Sequence, residues 1–188
     1  MKPAILLADD SPTIQRLVTQ TFADADFEVI SVSNGDAAIR KFEELHPLLV
    51  LADIYMPGRN GYEVCAYIKN HAHLAYTPVI LLAGAFDVFD DESAKQAGAS
   101  AHMAKPFEPQ ALADLVTSLL EERIRNIEAA AGASSDDGED LLGLRELFRP
   151  VPSGITRPVS VSDEEIERIA DRVIQKLSVR REELKRQS

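Results

Sequence analysis

The sequence of 188 residues lacks several features that would point to particular classes of protein. It has one cysteine, Cys65, which excludes an intramolecular disulfide framework and is typical of a reducing compartment. No stretch approaches the roughly 18 consecutive apolar residues of a membrane-spanning helix. The first residues turn acidic after a short apolar segment, which does not fit a signal peptide. We therefore expect a cytoplasmic protein without membrane insertion.

The sequence also lacks any segment with an excess of basic residues. Residues 1–130 carry 10 basic and 19 acidic groups, residues 131–161 carry 3 and 5, and residues 162–188 carry 7 and 7, which accounts for the net charge of −11. Proteins that bind the phosphate backbone of nucleic acids need a basic surface. The charge distribution therefore predicts that the chain makes no direct contact with nucleic acid.

What the sequence does contain is a repeated alternation of strand and helix patterns. Five short, mostly apolar segments are each followed by apolar residues at helical spacing. Such alternation predicts a parallel sheet with helices on both faces, and thus a doubly wound (βα)₅ α/β fold over residues 1–125. The five predicted strands cover residues 4–8, 27–32, 48–52, 79–83 and 99–104.

The remainder of the chain has a different composition. Residues 126–161 are predicted to be a flexible linker, interrupted by a short apolar patch over 140–148 that favours docking to a partner. Residues 162–186 are predicted to form a helix whose apolar residues follow a seam like that of a coiled coil. That seam is short for an isolated coiled coil, so we expect the helix to form a homodimer or to bind another protein.

Charged residues cluster where the predicted strands end. Asp9 and Asp10 follow the first strand, Asp53 follows the third and Lys105 follows the fifth. Because the carboxyl ends of parallel strands lie at one edge of a sheet, these side chains are expected to meet. Carboxylates stay ionised together only beside a cation, and an all-oxygen ligand set favours Mg²⁺ over zinc. A metal ion, a lysine and an acceptor carboxylate are the groups that phosphoryl transfer to an aspartate requires.

These residues together resemble the receiver domain of bacterial two-component response regulators. The resemblance covers residues 3 to about 125, and it rests on Asp9-Asp10, on Asp53 before Ile-Tyr-Met-Pro-Gly, and on Lys105-Pro106-Phe107. It implies a flavodoxin-like fold of the chemotaxis-receiver type, here with a C-terminal helical extension. It also implies a signalling protein rather than an enzyme. The residues after 125 comprise a proline-rich linker and one helix, which are too little for a DNA-binding output domain, so we expect none.

The resemblance implies a role for each matching residue. Asp53 would accept a phosphoryl group from a sensor histidine kinase or a phosphotransfer protein, and Lys105 would contact that group. Mg²⁺ would be held by Asp10, Asp53 and the backbone carbonyl of Tyr55, with Asp9 supporting them. The Lys105–Pro106 peptide bond would be cis. The signal would pass to a downstream protein partner by direct contact.

Two positions depart from the family's pattern. Ala83 stands where the fourth strand usually ends in Thr or Ser, and His102 stands where the fifth strand usually carries Tyr or Phe. The change at Ala83 fits either a working receiver or a constitutive signalling conformation. His102 is expected to be a half-buried structural residue. A phosphorylation-independent pseudo-receiver that acts as an interaction scaffold therefore remains an alternative. A dehalogenase-like phosphatase is disfavoured, because the first strand ends in adjacent aspartates and not in Asp-x-Asp.

Overall fold

The computed structural model of the protein describes residues 4–23, 28–72 and 74–132, together with Gln175. Within these residues the chain alternates between strands and helices from β1 to α5. The strands are β1 Ala4–Ala8, β2 Glu28–Val32, β3 Leu49–Asp53, β4 Val79–Ala83 and β5 Ala101–Ala104. The helices are α1 Pro12–Thr21, α2 Gly35–Leu45, α3 Gly61–Lys69, α4 Asp91–Ala97 and α5 Pro109–Gly132.

The five strands form one parallel sheet with the order β2-β1-β3-β4-β5. Its register aligns Ala8 with Ala52 and Asp53 with Leu82, and it aligns Ala83 at the end of β4 with Ala104 at the end of β5. The chain reverses its direction of winding between β1 and β3, and ligands of open α/β sheets bind at such a point. The expected five-stranded, doubly wound sheet is confirmed.

The two faces of the sheet carry separate hydrophobic cores, because successive strand residues point to opposite sides. One face buries alternate residues such as Leu7, Leu51 and Leu82 against α1 and α5. The other face buries Leu6, Val50 and their counterparts against α2, α3 and α4. All residues of β1, β3 and β4 are buried, which explains why these strands read as continuous apolar runs.

Local capping fixes the helices that follow the strand ends. Asn60 and Glu63 form a capping box at the start of α3, in which each side chain accepts the other residue's backbone N–H at 2.9 Å. Asp90 caps α4 through the N–H groups of Glu92 and Ser93. Gly98 ends α4 in the left-handed conformation with φ of 75°, as its position in the sequence predicts.

Some boundaries differ from the sequence prediction. Strand β5 begins at Ala101 and not at residue 99. Helix α5 ends at Gly132, so its last seven residues lie in the segment predicted to be a linker over 126–161. The apolar patch over 140–148 lies outside the described residues, as does the predicted helix over 162–186 apart from the helical Gln175. Among the described residues, no helix is long and apolar enough to cross a membrane.

Candidate functional site

Asp53 is the last residue of β3, and its side chain lies at the carboxyl edge of the sheet. It is almost completely buried, with 4% of its surface exposed. Its Oδ2 atom lies 2.7 Å from Nζ of Lys105, and its Oδ1 atom accepts a hydrogen bond of 3.2 Å from the backbone N–H of Tyr55. The buried carboxylate is thus held between a cation and a backbone donor.

Asp9 and Asp10 follow β1 and approach Asp53 from the neighbouring strand. Asp9 is fully buried, and its Oδ1 accepts a hydrogen bond of 2.8 Å from the backbone N–H of Ser11. Its Oδ2 lies 2.8 Å from Nζ of Lys105, and this buried oxygen accepts no hydrogen bond within the described residues. Asp10, in contrast, is exposed. Lys105 therefore bridges two buried carboxylates, while a third faces solvent beside them.

The three aspartates fit a hard divalent cation. One carboxylate oxygen from each of Asp9, Asp10 and Asp53 lies within 4.8 Å of the other two. Asp9 Oδ2 lies 2.8 Å from Nζ of Lys105 and accepts no further hydrogen bond among the described residues, so it retains a lone pair that a cation could use. Oxygen ligands with one exposed member suit Mg²⁺, which usually keeps several water molecules. The predicted role of the Tyr55 carbonyl stays a prediction.

Burial and neighbouring charges shift the pKa values of Asp53 and Lys105 in opposite directions. Burial raises the pKa of Asp53 above its usual value, although contacts with Lys105 and with the N–H of Tyr55 partly offset this. Burial alone would lower the pKa of Lys105, but its contacts with Asp53 and Asp9 outweigh that effect and raise the pKa. Lys105 is therefore a fixed positive charge at neutral pH, and it favours the ionised form of Asp53.

The two atypical positions lie on the neighbouring strands β4 and β5. Ala83 is 5% exposed at the end of β4 and offers no hydroxyl donor. His102 is exposed, so its predicted half-buried position is wrong. It lies on the edge strand β5, whose four residues are alternately half-buried and exposed. Its ring instead stacks on Phe89, with ring centroids 4.2 Å apart.

Two further residues near the carboxyl ends of the strands make contacts that the sequence does not predict. Gly61 begins α3 against the backbone of β3, and a Cβ atom added there would lie 2.5 Å from the carbonyl oxygen of Asp53. Asp87, in the loop after β4, accepts a hydrogen bond from the backbone N–H of Gly84. The sequence shows a glycine at position 61, in the loop after Asp53, and an acidic residue at position 87, three residues after Gly84. Neither feature by itself predicts the contact that the residue makes.

Comparisons with known proteins agree with this geometry. Residues 5–117 match the response regulator receiver domain family. Protein PilG of Pseudomonas aeruginosa is 33% identical over 108 residues, which cover 57% of this chain and 80% of PilG. The probable transcriptional regulator ycf27 of Cyanophora paradoxa is 31% identical over 140 residues, 74% of this chain. The match spans only 56% of that relative's length.

Solved structures show the same fold. The chemotaxis response regulator CheY4 of Vibrio cholerae is 25% identical with a TM-score of 0.58, and the match covers 63% of this chain and 99% of that chain. The receiver domain of a sensor histidine kinase from Pseudomonas aeruginosa PAO1 is 26% identical with a TM-score of 0.57, and the match covers 63% and 98%. That structure has a magnesium ion coordinated in its active site cleft. With its parallel sheet and buried aspartates, this chain belongs to the response regulator receiver domain family of two-component signalling.

Proposed function

We propose that the chain is a response regulator that accepts a phosphoryl group on Asp53 from a histidine kinase or a phosphotransfer protein. One observation supports this above all others: the nearly buried Asp53 carboxylate lies 2.7 Å from Nζ of Lys105, within a cluster of three carboxylates. Receiver domains interact with histidine kinases or phosphotransfer proteins and bind Mg²⁺ in their acidic pocket. We propose that Asp53 and Lys105, with the neighbouring aspartates, give this chain the same properties.

The proposed reaction transfers a phosphoryl group from nitrogen to oxygen. An oxygen of ionised Asp53 attacks phosphorus of a phosphohistidine, a P–O bond forms, and the P–N bond breaks. The imidazole leaves with the electron pair of that bond and takes up a proton. Lys105 contacts the transferred oxygens and compensates their negative charge, which is the main requirement of phosphoryl transfer. The ionised form of Asp53, which Lys105 favours, needs no separate base to attack, because it has no proton to lose.

Mg²⁺ would be held by the carboxylates of Asp10 and Asp53 and by the backbone carbonyl of Tyr55, with Asp9 supporting them. When bound, the ion compensates the negative charge of the phosphoryl oxygens. Asp10 is exposed and can exchange water for a metal ion, whereas Asp9 is buried and fixed by the N–H of Ser11. This difference in exposure suggests that Asp10 is a ligand and Asp9 a support.

The proposed output is contact with a downstream protein in the cytoplasm. The acidic net charge disfavours direct binding of these 188 residues to nucleic acid, so we propose that they signal by protein–protein contact. The regulator MtrA of Mycolicibacterium smegmatis, 26% identical over 153 residues, is described as DNA-binding, and that property is not transferred to this chain. The helix predicted over 162–186 is proposed to mediate homodimerisation or binding of the partner.

A second candidate is a pseudo-receiver that binds partners without phosphorylation. Ala83 favours it, because a side chain without a hydroxyl donates no hydrogen bond to a phosphoryl oxygen. His102 favours it as well, because it is exposed and stacked on Phe89, and no buried aromatic side chain occupies that position. The intact group of Asp53, Asp10 and Lys105 opposes it.

Incubation of the full chain with acetyl phosphate and Mg²⁺ separates the two candidates. We expect one phosphoryl group per chain, detected by a phosphate-affinity gel and labile at alkaline pH as an acyl phosphate. Asp53→Asn should abolish it, whereas Asp91→Asn, which removes an exposed acid in α4, should not. Labelling of Asp53→Asn equal to that of the natural chain contradicts phosphorylation at Asp53. No labelling of the natural chain supports the pseudo-receiver.

A further inference from the structure

The loop between β4 and α4 is closed by two hydrogen bonds between the same two residues. The carboxylate of Asp87 accepts a hydrogen bond from the backbone N–H of Gly84. In return, the backbone N–H of Asp87 donates to the carbonyl oxygen of Gly84 at 3.0 Å. Residues 84–88 therefore form a compact turn, named here the 84–88 turn, which one backbone hydrogen bond and one side chain hold closed.

The N–H group that Asp87 occupies belongs to the residue that follows β4, at the edge of the sheet where Asp53 lies. Gly84 directly follows β4, which pairs with β3 and β5. Asp53 aligns with Leu82 two residues earlier, and the backbone N–H of Lys105 donates to the carbonyl oxygen of Ala83 at 2.6 Å. Gly84 thus leaves the sheet between Asp53, the last residue of β3, and Lys105, the first residue after β5. Because Ala83 has no hydroxyl, the N–H of Gly84 is the next uncharged donor along β4.

Asp87 and a phosphoryl group would compete for this donor. Both are anions, and a single N–H cannot donate a full hydrogen bond to each. Their like charges would also repel each other at the carboxyl edge. Phosphorylation of Asp53 is therefore opposed by the Asp87–Gly84 hydrogen bond, and breaking that bond removes the opposition.

The side chains of the 84–88 turn do little to keep it in place. Phe86 is 101% exposed and Val88 is 81% exposed, so neither buries apolar surface that would be lost if the turn moved. The residues that follow are anchored, because Phe89 stacks on His102 and the N–H of Asp90 donates to Oη of Tyr62 at 3.0 Å. Movement would thus be confined to the turn itself and would displace two exposed apolar side chains.

We propose that Asp87 is a positioning residue that restrains phosphorylation of Asp53. It occupies the backbone N–H of Gly84 and holds the 84–88 turn in the unphosphorylated conformation. The proposal rests on the proposed function and adds a regulatory contact to the same site. It also explains how a receiver without a hydroxyl at Ala83 could still link phosphorylation to this loop, since the phosphoryl group and the turn share one donor.

Glycine at position 84 offers an independent way to disturb the contact. A Cβ atom there would lie 2.6 Å from Oδ2 of Asp87, and the carboxylate is the end of a mobile side chain that would move away. Gly84→Ala should therefore break the hydrogen bond without removing the acid. If both substitutions act through that bond, Asp87→Ala in a Gly84→Ala background should add little.

The test measures phosphorylation by acetyl phosphate and Mg²⁺ in the full chain. We expect Asp87→Ala and Gly84→Ala each to be phosphorylated about 3- to 10-fold faster than the natural chain, the range set by one hydrogen bond. The double variant should match the single variants, and the control Asp91→Ala should match the natural chain. In the unphosphorylated protein, the amide proton of Gly84 should exchange with solvent at least about 10-fold faster in Asp87→Ala.

The outcomes separate this proposal from the proposed function. A natural chain that takes no phosphoryl group overturns both the proposed function and the role of Asp87 in it. A natural chain that is phosphorylated at the same rate as Asp87→Ala overturns the role of Asp87 alone, as would unchanged exchange at Gly84. If the rate increases of the two single variants combined fully in the double variant, the two substitutions would not act through one hydrogen bond, and that part of the proposal would be wrong.

Discussion

Replacing Lys105 by Met is the substitution with the largest expected effect on stability at this site. The ammonium group lies 2.8 Å from Asp9 and 2.7 Å from Asp53, and its side chain is only 14% exposed. Methionine would keep most of the apolar stem but leave two buried carboxylates without their cation. Removing one partner of a buried ion pair costs about 3–5 kcal/mol. Because Lys105 retains some contact with water, we expect a loss of about 3 kcal/mol.

The loss of stability caused by Lys105→Met should depend on pH and on Mg²⁺. Lys105 lowers the pKa of Asp53, so its removal should raise that pKa further. A carboxyl group whose pKa is higher in the folded than in the unfolded state favours folding at low pH, and that contribution is lost as the pH rises through the folded-state pKa. The deficit should therefore be larger at pH 7 than at pH 5. Mg²⁺ should stabilise the variant more than the natural chain, because it supplies the missing positive charge.

Urea unfolding followed by circular dichroism measures this effect. With a slope of about 1.5 kcal/mol per molar urea, 3 kcal/mol lowers the midpoint by about 2 M. The control Lys95→Met removes an exposed lysine of α4 and should change the free energy of unfolding by less than about 0.5 kcal/mol. A midpoint of Lys105→Met equal to that of the control, or a deficit that Mg²⁺ does not reduce, would refute the reasoning.

Three further substitutions or reactions test other parts of the structure. Cys65 is fully buried and burial raises its pKa to about 11, so a thiol reagent at pH 7.5 should react only after unfolding; prompt reaction with the native protein would contradict this burial. Gly61→Ala places a Cβ atom 2.5 Å from the carbonyl oxygen of Asp53, so we expect a loss of about 1–3 kcal/mol in urea unfolding and slower phosphorylation; an unchanged protein would show that α3 can move away freely. Ala83→Thr restores a hydroxyl, and beryllofluoride should then shift the amide signals of residues 84–91 more than in the natural chain; equal shifts would contradict a role for this position.

The sequence predicts much of the fold because most strands are buried on both faces. A strand without a solvent face appears as an unbroken apolar run, and the charged residue that ends it marks the edge of the sheet. This pattern located Asp53 at the end of β3 and brought Lys105 and Asp9 to the same point. Residue type and spacing were sufficient there, because parallel topology places all carboxyl ends together.

The same reasoning is less successful at the edge of the sheet and in the loops. The position of His102 on β5 suggested partial burial, yet side chains of this edge strand alternate between half-buried and exposed, and His102 is one of the exposed ones. The contact of Asp87 with Gly84 depends on how the turn folds back on itself, and no periodicity encodes it. The approach of Gly61 to the backbone of Asp53 likewise depends on the packing of α3 against β3.

The most direct test of the central claim is to locate the phosphoryl group on the chain. After incubation with acetyl phosphate and Mg²⁺, reduction with borohydride converts an aspartyl phosphate into homoserine, and peptide mass spectrometry identifies the converted residue. We predict conversion at Asp53 alone, dependent on Mg²⁺ and absent from Asp53→Asn. Conversion at Asp9 or Asp10, or an unmodified Asp53 in a chain that carries phosphate elsewhere, would contradict the account.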